Sequence, residues 1–158
     1  EDRHIPYKGG NPAVVSTVKG ETEVVMQLSM EVADMLRAKK LRALANMSTQ
    51  SLMIEGYGEV PPVMQFLPNH APLQYLFGIY IAKDTPQEAV EAINKAFDAA
   101  AASDAMKRLA KDKASANVNY KGEEALKLSE TTGNNVNCIL QEIGIAKKDP
   151  AAFGFICK

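Results

Sequence analysis

The stretch Tyr7-Lys8-Gly9-Gly10-Asn11-Pro12-Ala13 decides how the chain is read. β-favouring residues, His4, Ile5 and Tyr7, lead into it. The two glycines permit a positive φ or the close approach of another group to the backbone. Asn11 is a favoured N-cap residue and Pro12 suits the first helical position. An apolar helical run then starts at Ala13. The order is strand, glycine turn and freshly opened helix. The N–H groups at such a helix end lack intrahelical partners and sit at the positive end of the dipole, so together they make a place for an anion. Lys8 adds a full positive charge beside it. The turn does not end in Gly-Lys-Ser/Thr, so it is not a P-loop, and it lacks the third glycine of a dinucleotide fingerprint.

Working outward, the pattern predicts a strand over His4–Tyr7 and a helix over Pro12–Lys19, stopped by Gly20. A buried strand is predicted over Glu23–Leu28. A helix follows from a Ser29 cap to Ala38, then a third strand over Leu41–Met47. Strand and helix alternate in this way over the first ~45 residues, which favours α/β layering with helices flanking a parallel or mixed sheet. Residues 48–72, rich in glycine and proline, read as a long irregular stretch. Leu73–Ile81 reads as the strongest strand, because it is aromatic and β-branched. Thr85-Pro86-Gln87-Glu88 has the form of a capping box, with a helix running from it to Ala101. A second helix is expected after Ser103, reaching Lys113. A short strand over Ala116–Tyr120, a long helix over Gly122–Ile143 and a helical turn near Phe153 complete the reading.

Composition narrows the function classes. The chain has 158 residues, a net charge of -1 and 46% hydrophobic residues, which suits one ordinary domain or parts of two small lobes. The near-zero charge gives no support for nucleic acid or an anionic membrane as the main partner. No apolar run approaches the roughly 20 residues that span a bilayer. The chain starts at Glu1 without a methionine, which suggests processing or truncation. Cys138 and Cys157 fit no zinc or redox spacing; a disulfide in an oxidising compartment and two free thiols both stay open. With only His4 and His70, and no cluster of cysteine and histidine, neither a metal site nor a cofactor is expected.

Other constellations read as structure. Arg37, Lys39, Lys40 and Arg42 suit a helix C-terminus, where cations meet the negative dipole end. Glu88 with Glu91, and Glu123 with Glu124, read as solvated helix faces rather than acid–base pairs. Ser16, Ser48 and Ser51 lie in no histidine-bearing motif. The sequence therefore argues against an enzyme. Gln27 and Ser29 differ in kind, since they fall where a strand ends and a helix starts, the usual ligand edge of an α/β sheet.

These motifs together carry a family resemblance. His4-Ile5-Pro6-Tyr7-Lys8-Gly9-Gly10-Asn11-Pro12-Ala13 resembles the "hVPYKGGxPA" motif of the solute receptors of tripartite tricarboxylate transporters, the Bug-type or TctC-like proteins. In register with it, Lys19–Met26 resembles "GGQVDVMF" and Met35–Ala45 resembles "hIRAGKLRALA". Phe77-Gly78 with Ala82–Pro86 resembles "FGLFAPAGTP". Departures accompany the match. The family's "FD" is Gln27-Leu28, its tryptophan before "FG" is Leu76, and the glycine of "RAGKL" is Lys39. The family's earlier glycine- and serine-rich loop, and the complete first lobe that it carries ahead of this region, are not in these residues.

The resemblance implies a two-lobed periplasmic-binding-protein-like fold of type II, seen here as a C-terminal portion. Residues 1–45 would be the C-terminal half of the second lobe, and 46–158 the C-terminal part of the first with long terminal helices. It implies a periplasmic, extracytoplasmic receptor, made as a precursor with a signal peptide. Such a receptor captures small di- or tricarboxylates without covalent chemistry and delivers them to membrane permease subunits. Carried onto this chain, the ligand loop is Tyr7, Lys8, Gly9, Gly10, Pro12 and Ala13. With the Asn11 cap and with Gln27 and Ser29 as specificity residues, these form the candidate ligand-binding set. Two other readings stay open: the effector-binding module of a regulator, and a ligand-free interaction domain that associates with a second copy through an exposed sheet edge.

Overall fold

The computed structural model describes residues 3–157. Its helices are α1 (Gly10–Val18), α2 (Ser29–Arg37), α3 (Gln87–Ala102), α4 (Asp104–Asp112) and α5 (Gly122–Glu142). The strands β1 (Leu52–Ile54) and β2 (Gly58–Val60) form an antiparallel hairpin, and short 3-10 turns occupy Val63–Gln65 and Pro150–Phe153. The chain divides into two compact units. One runs from the N-terminal segment to Asn46 and includes Ser51–Pro61 and Ala102–Asn117. The other holds Met47–Gln50, Pro62–Ala101 and the residues from Val118 onward.

The first unit carries the core. Ala33 and Leu36 lie three residues apart on α2 and so share one face. Ile54 and Val60 come from the hairpin, where Leu52 pairs with Val60, Met53 with Glu59 and Ile54 with Gly58. The period-2 alternation turns Ile54 and Val60 inward and leaves Met53 and Glu59 exposed. Ala114 closes this cluster, with Leu41, Ala43 and Tyr57 packed around it.

Arg37 ties the same elements together from the rim. Its Nε donates to Glu55 O at 2.9 Å, its Nη1 to Asp112 O at 2.8 Å and its Nη2 to Lys111 O at 3.3 Å. Nη1 also pairs with Asp34 at 3.0 Å. Arg37 is the last residue of its own helix, as expected of a cation there, and its guanidinium also meets the C-terminal carbonyls of α4. Beside it, Lys111 bridges Glu55 at 2.8 Å. That hydrogen bond raises the Lys111 pKa, although both side chains are exposed and the pair adds little stability.

Four helices end in the same way. The amide two residues past the cap bonds the carbonyl of the third-last helical residue: Glu21 N to Ser16 O, Lys40 N to Met35 O, Ser115 N to Ala110 O and Ile145 N to Leu140 O. This Schellman arrangement requires a left-handed residue just past the cap. Gly20 and Gly144 supply it for α1 and α5, at φ 77° and 75°. Lys39 (φ 55°) and Ala114 (φ 51°) supply it for α2 and α4 with a side chain in a conformation that disfavours one. Lys39 is the position where the resembling family has glycine. Ala114 places its methyl in the core instead.

In the second unit, neither α3 nor α5 has a fully buried residue, so polar and covalent links organise it. Asp98 of α3 accepts from Lys121 and from Asn119 Nδ2, the latter at 2.7 Å. Those bonds, Lys121 first, lower its pKa, so the contact contributes above the ordinary carboxylate range and fades as pH falls through the lowered value. On α5, Thr132 Oγ1 donates to Gln74 O at 3.0 Å and Asn135 Nδ2 to Pro72 O at 2.9 Å. Cys138 and Cys157 are joined as a disulfide.

The helices match the predicted ones to within about two residues, but the sheet does not match. The expected strands at 4–7, 23–28, 41–47, 73–81 and 116–120 run without ladders, and a parallel or mixed sheet is not found among the described residues. In place of ladders they make isolated backbone bonds, Asn46 N to Pro61 O at 2.8 Å and Leu73 N to Met47 O at 2.9 Å, and bonds that involve side chains. Tyr57 Oη accepts from Ala43 N at 2.8 Å, Asn46 Nδ2 donates to Val60 O at 2.8 Å, and α5 holds Pro72 and Gln74. Val24 and Met26, expected to be buried, are 71% and 77% exposed. The hairpin lies inside the stretch expected to be irregular. Two finer expectations also change. Leu28, not Ser29, is the cap of α2, and Thr85 Oγ1 donates to Ala82 O rather than capping α3.

Two substitutions test this account. Arg37→Lys keeps the charge but not the fork of donors, leaving Asp112 O and Glu55 O without their partner; it is expected to cost about 1–3 kcal/mol in urea denaturation. Lys39→Gly relieves the left-handed strain and is expected to stabilise the chain by about 1 kcal/mol in the same measurement.

Candidate functional site

All nine candidate residues fall in the first unit. α1 opens earlier than the sequence suggests. Gly9 is the cap, at φ 107° and ψ 168°, and Gly10 is the first helical residue. Asn11 is therefore inside the helix rather than capping it, and Pro12 takes the third position. There its missing N–H costs nothing, because the amides of the first turn have no intrahelical acceptor. The amide of Ala13, by contrast, is the first to reach back to the carbonyl of the cap. The unpaired donors of this helix end are thus Gly9, Gly10 and Asn11, with no side-chain cap on them. Gly9, Asn11 and Pro12 are exposed, and Gly10 and Ala13 are half-buried. Lys8 is exposed beside them.

Tyr7 has work inside the protein. Its hydroxyl lies 2.5 Å from Ser16 Oγ, and Ser16 is the one polar residue counted as buried among the described residues. The bond satisfies that hydroxyl and fastens the segment ahead of the glycines onto α1.

Gln27 is brought to the same place. A Cβ built on Gly10 would come within 2.1 Å of Gln27 Nε2 and 2.4 Å of Glu31 Oε2. Gly10 is therefore a close-approach glycine, and its neighbours are the ends of two side chains from the start of α2. Gln27 Oε1 also accepts from Leu28 N at 3.2 Å. Ser29, half-buried, is the first residue of α2. Glu31 is the residue beside the glycine turn that the sequence reading did not single out. It stands in the first turn of α2, where an acidic side chain favours its own helix dipole, and it also reaches the positive end of α1. Its spacing of four from Gln27, at the start of a helix, was the available signal.

The arrangement supplies main-chain donors, one exposed cation and one resident carboxylate. Two hollows of about 310 and 300 Å³ occur elsewhere in this unit, one lined by Glu55, Lys111 and Ala114 among others, the second by Lys39, Arg42 and Tyr57. None of the nine residues lines either. Among the described residues no group of three histidine, cysteine, aspartate or glutamate side chains is arranged to hold a metal ion. No helix there is long and apolar enough to cross a membrane.

The model of the TctC family, described as the tripartite tricarboxylate transporter family receptor, matches residues 1–145. The chain belongs to this family of solute-binding receptors of tripartite transporters, which are binding proteins that work outside the cytoplasm. No curated protein and no solved structure matches it. The match covers the glycine turn and the start of α2 alike. It lends nothing to the regulator or ligand-free readings.

The two glycines are expected to respond differently. Gly9→Ala forces a side chain into a conformation that is essentially glycine-only, costing about 1–3 kcal/mol. Gly10→Ala meets only the movable ends of Gln27 and Glu31, so it is expected to cost less than about 1 kcal/mol. Equilibrium denaturation of both variants, with helix content checked by circular dichroism, measures the difference.

Proposed function

We propose that the opening of α1 holds one carboxylate of a small di- or tricarboxylate, captured without covalent chemistry for a membrane permease. The observation that carries this reading is an uncapped helix N-terminus, with Gly9 at positive φ, in the glycine turn of a chain from the receptor family. Amides of Gly9, Gly10 and Asn11 donate to the carboxylate, and Lys8 adds charge. Gln27 and Ser29 set specificity at the rim. Tyr7, Pro12 and Ala13 shape the loop rather than bond the ligand. In the same proposal, residues 1–45, with the hairpin and α4 that pack on α2, belong to one lobe of a two-lobed receptor, and the remaining residues of 46–158 to the other.

Glu31 opposes such a ligand. Two carboxylates about 4 Å apart repel by roughly 1 kcal/mol in water and about 4 kcal/mol in a partly shielded site. Ligand capture therefore requires the Glu31 carboxylate to swing away from Gly10.

Calorimetric titration of succinate and citrate into the chain, and into its Lys8→Gln and Glu31→Gln variants, tests the proposal. Binding is expected to weaken several-fold in Lys8→Gln and with added salt. It is expected to strengthen about 3- to 10-fold in Glu31→Gln, equivalent to roughly 0.7–1.4 kcal/mol. Heat absent with every carboxylate, or affinities indifferent to both residues, would remove the site.

A further inference from the structure

The C-terminal tail is fixed to α5 at three points on one helical face. Asn134 exchanges two hydrogen bonds with Ile156: its Nδ2 donates to Ile156 O at 3.1 Å, and its Oδ1 accepts from Ile156 N at 2.7 Å. A side chain thereby imitates the paired N–H and C=O of one antiparallel rung. Four residues on, Cys138 is bonded to Cys157. Three residues further, Gln141 Nε2 donates to Asp149 Oδ1 at 3.4 Å. Positions 134, 138 and 141 line a single stripe.

Apolar burial does little for this tail. Pro150 is buried and Phe155 half-buried, but Phe153 is 61% and Ile156 77% exposed. Exposed hydrogen bonds compete with water and hold weakly by themselves. The covalent link is the one attachment here that water cannot replace.

We propose that the Cys138–Cys157 bond is an oxidation-dependent latch, which docks residues 150–157 on α5 when closed and releases them when reduced. Opening by a dithiol breaks the S–S bond. Each cysteine sulfur gains one electron and one proton, while the dithiol loses two of each and closes its own disulfide. A reducing compartment keeps the tail free and an oxidising one docks it. The second unit thus reaches its finished form only where receptors of this family operate. The inference is independent of the proposed ligand site, which lies in the first unit.

Native-state hydrogen exchange on the full chain tests it, comparing the oxidised protein, the same protein in excess dithiothreitol, and Cys138→Ser/Cys157→Ser. Closing a loop with the 19-residue separation of this bond is expected to suppress tail opening on the order of 100-fold. The amides of Gly154, Phe155 and Ile156 should therefore exchange about 100-fold faster in both opened forms, with those of Ala33 and Leu36 unchanged. Asn134→Ala, with the disulfide intact, should speed Ile156 alone. The latch is overturned if the tail amides stay protected without the bond, or if protection falls equally in the first unit. Two titratable thiols in protein secreted into an oxidising medium would overturn it as well.

Discussion

The guanidinium of Arg37 is the interaction on which the first unit depends. α2 and α4 have nine residues each, and helices this short do not hold themselves in water. The hairpin has three residue pairs, too few to stand alone. Each becomes stable only by docking on the others, and the shared core of Ala33, Leu36, Ile54, Val60 and Ala114 is small. Arg37 adds direction to that docking. Its planar fork meets carbonyls from β1's turn and from the end of α4, so α2, hairpin and α4 are registered by one side chain. The Asp34 partner matters less, because that carboxylate is 81% exposed and its attraction is screened.

The second constraint is electrostatic and sits at the other end of α2. The N-terminus of α1 faces the N-terminus of α2 through Gly10, Gln27 and Glu31. Two positive helix ends close together favour an anion between them, and Glu31 is the anion that the chain itself provides. The space beside Gly10 is filled by the movable tips of Gln27 and Glu31. This means that the family's glycine turn serves the free protein before any ligand arrives. On the proposed reading, an external carboxylate competes with this internal one, and affinity becomes a difference between the two.

The helices and the family were legible in the sequence, and the sheet was not. Helix ends are written locally: Gly20 and Gly144 stop α1 and α5, and Ser103 caps α4 by accepting from Met106 N. Ordered motifs such as Tyr7–Gly10 and Lys40–Ala45 carried the receptor likeness without any structure. A strand, however, is a property of a pair. Leu73–Ile81 has every local preference for a strand, yet Tyr75, Phe77, Ile79 and Tyr80 are exposed, with no partner strand among the described residues. The hairpin was hidden for the converse reason, since its glycines and short arms look like loop until Ile54 and Val60 are seen to share a core. Gln27 stood out from its place at an element junction, and it lies beside Gly10. The inward turn of Tyr7 toward Ser16 depends on helix geometry. Glu31 was disguised as an ordinary first-turn acid.

The run Thr132-Gly133-Asn134-Asn135-Val136-Asn137 looks like a weak point in α5, because glycine, asparagine and threonine are poor helix formers. In the structure those residues are where the helix acts. Thr132 and Asn135 take the carbonyls of Gln74 and Pro72, and Asn134 takes both polar groups of Ile156. Relative to alanine, Asn and Thr each lose roughly 0.5 kcal/mol of propensity, whereas a hydrogen bond returns about 0.5–1.5 kcal/mol. The bonds of Thr132 and Asn135 are partly buried, which shields them and puts their balance on the favourable side, whereas those of Asn134 are exposed and lean on the neighbouring disulfide. Long aliphatic residues in their place would make a better isolated helix, but the backbone groups of residues 72–74 and 156 would be left to water. α5 is therefore better understood as a polar comb that positions neighbouring backbone than as a helix that buries a face.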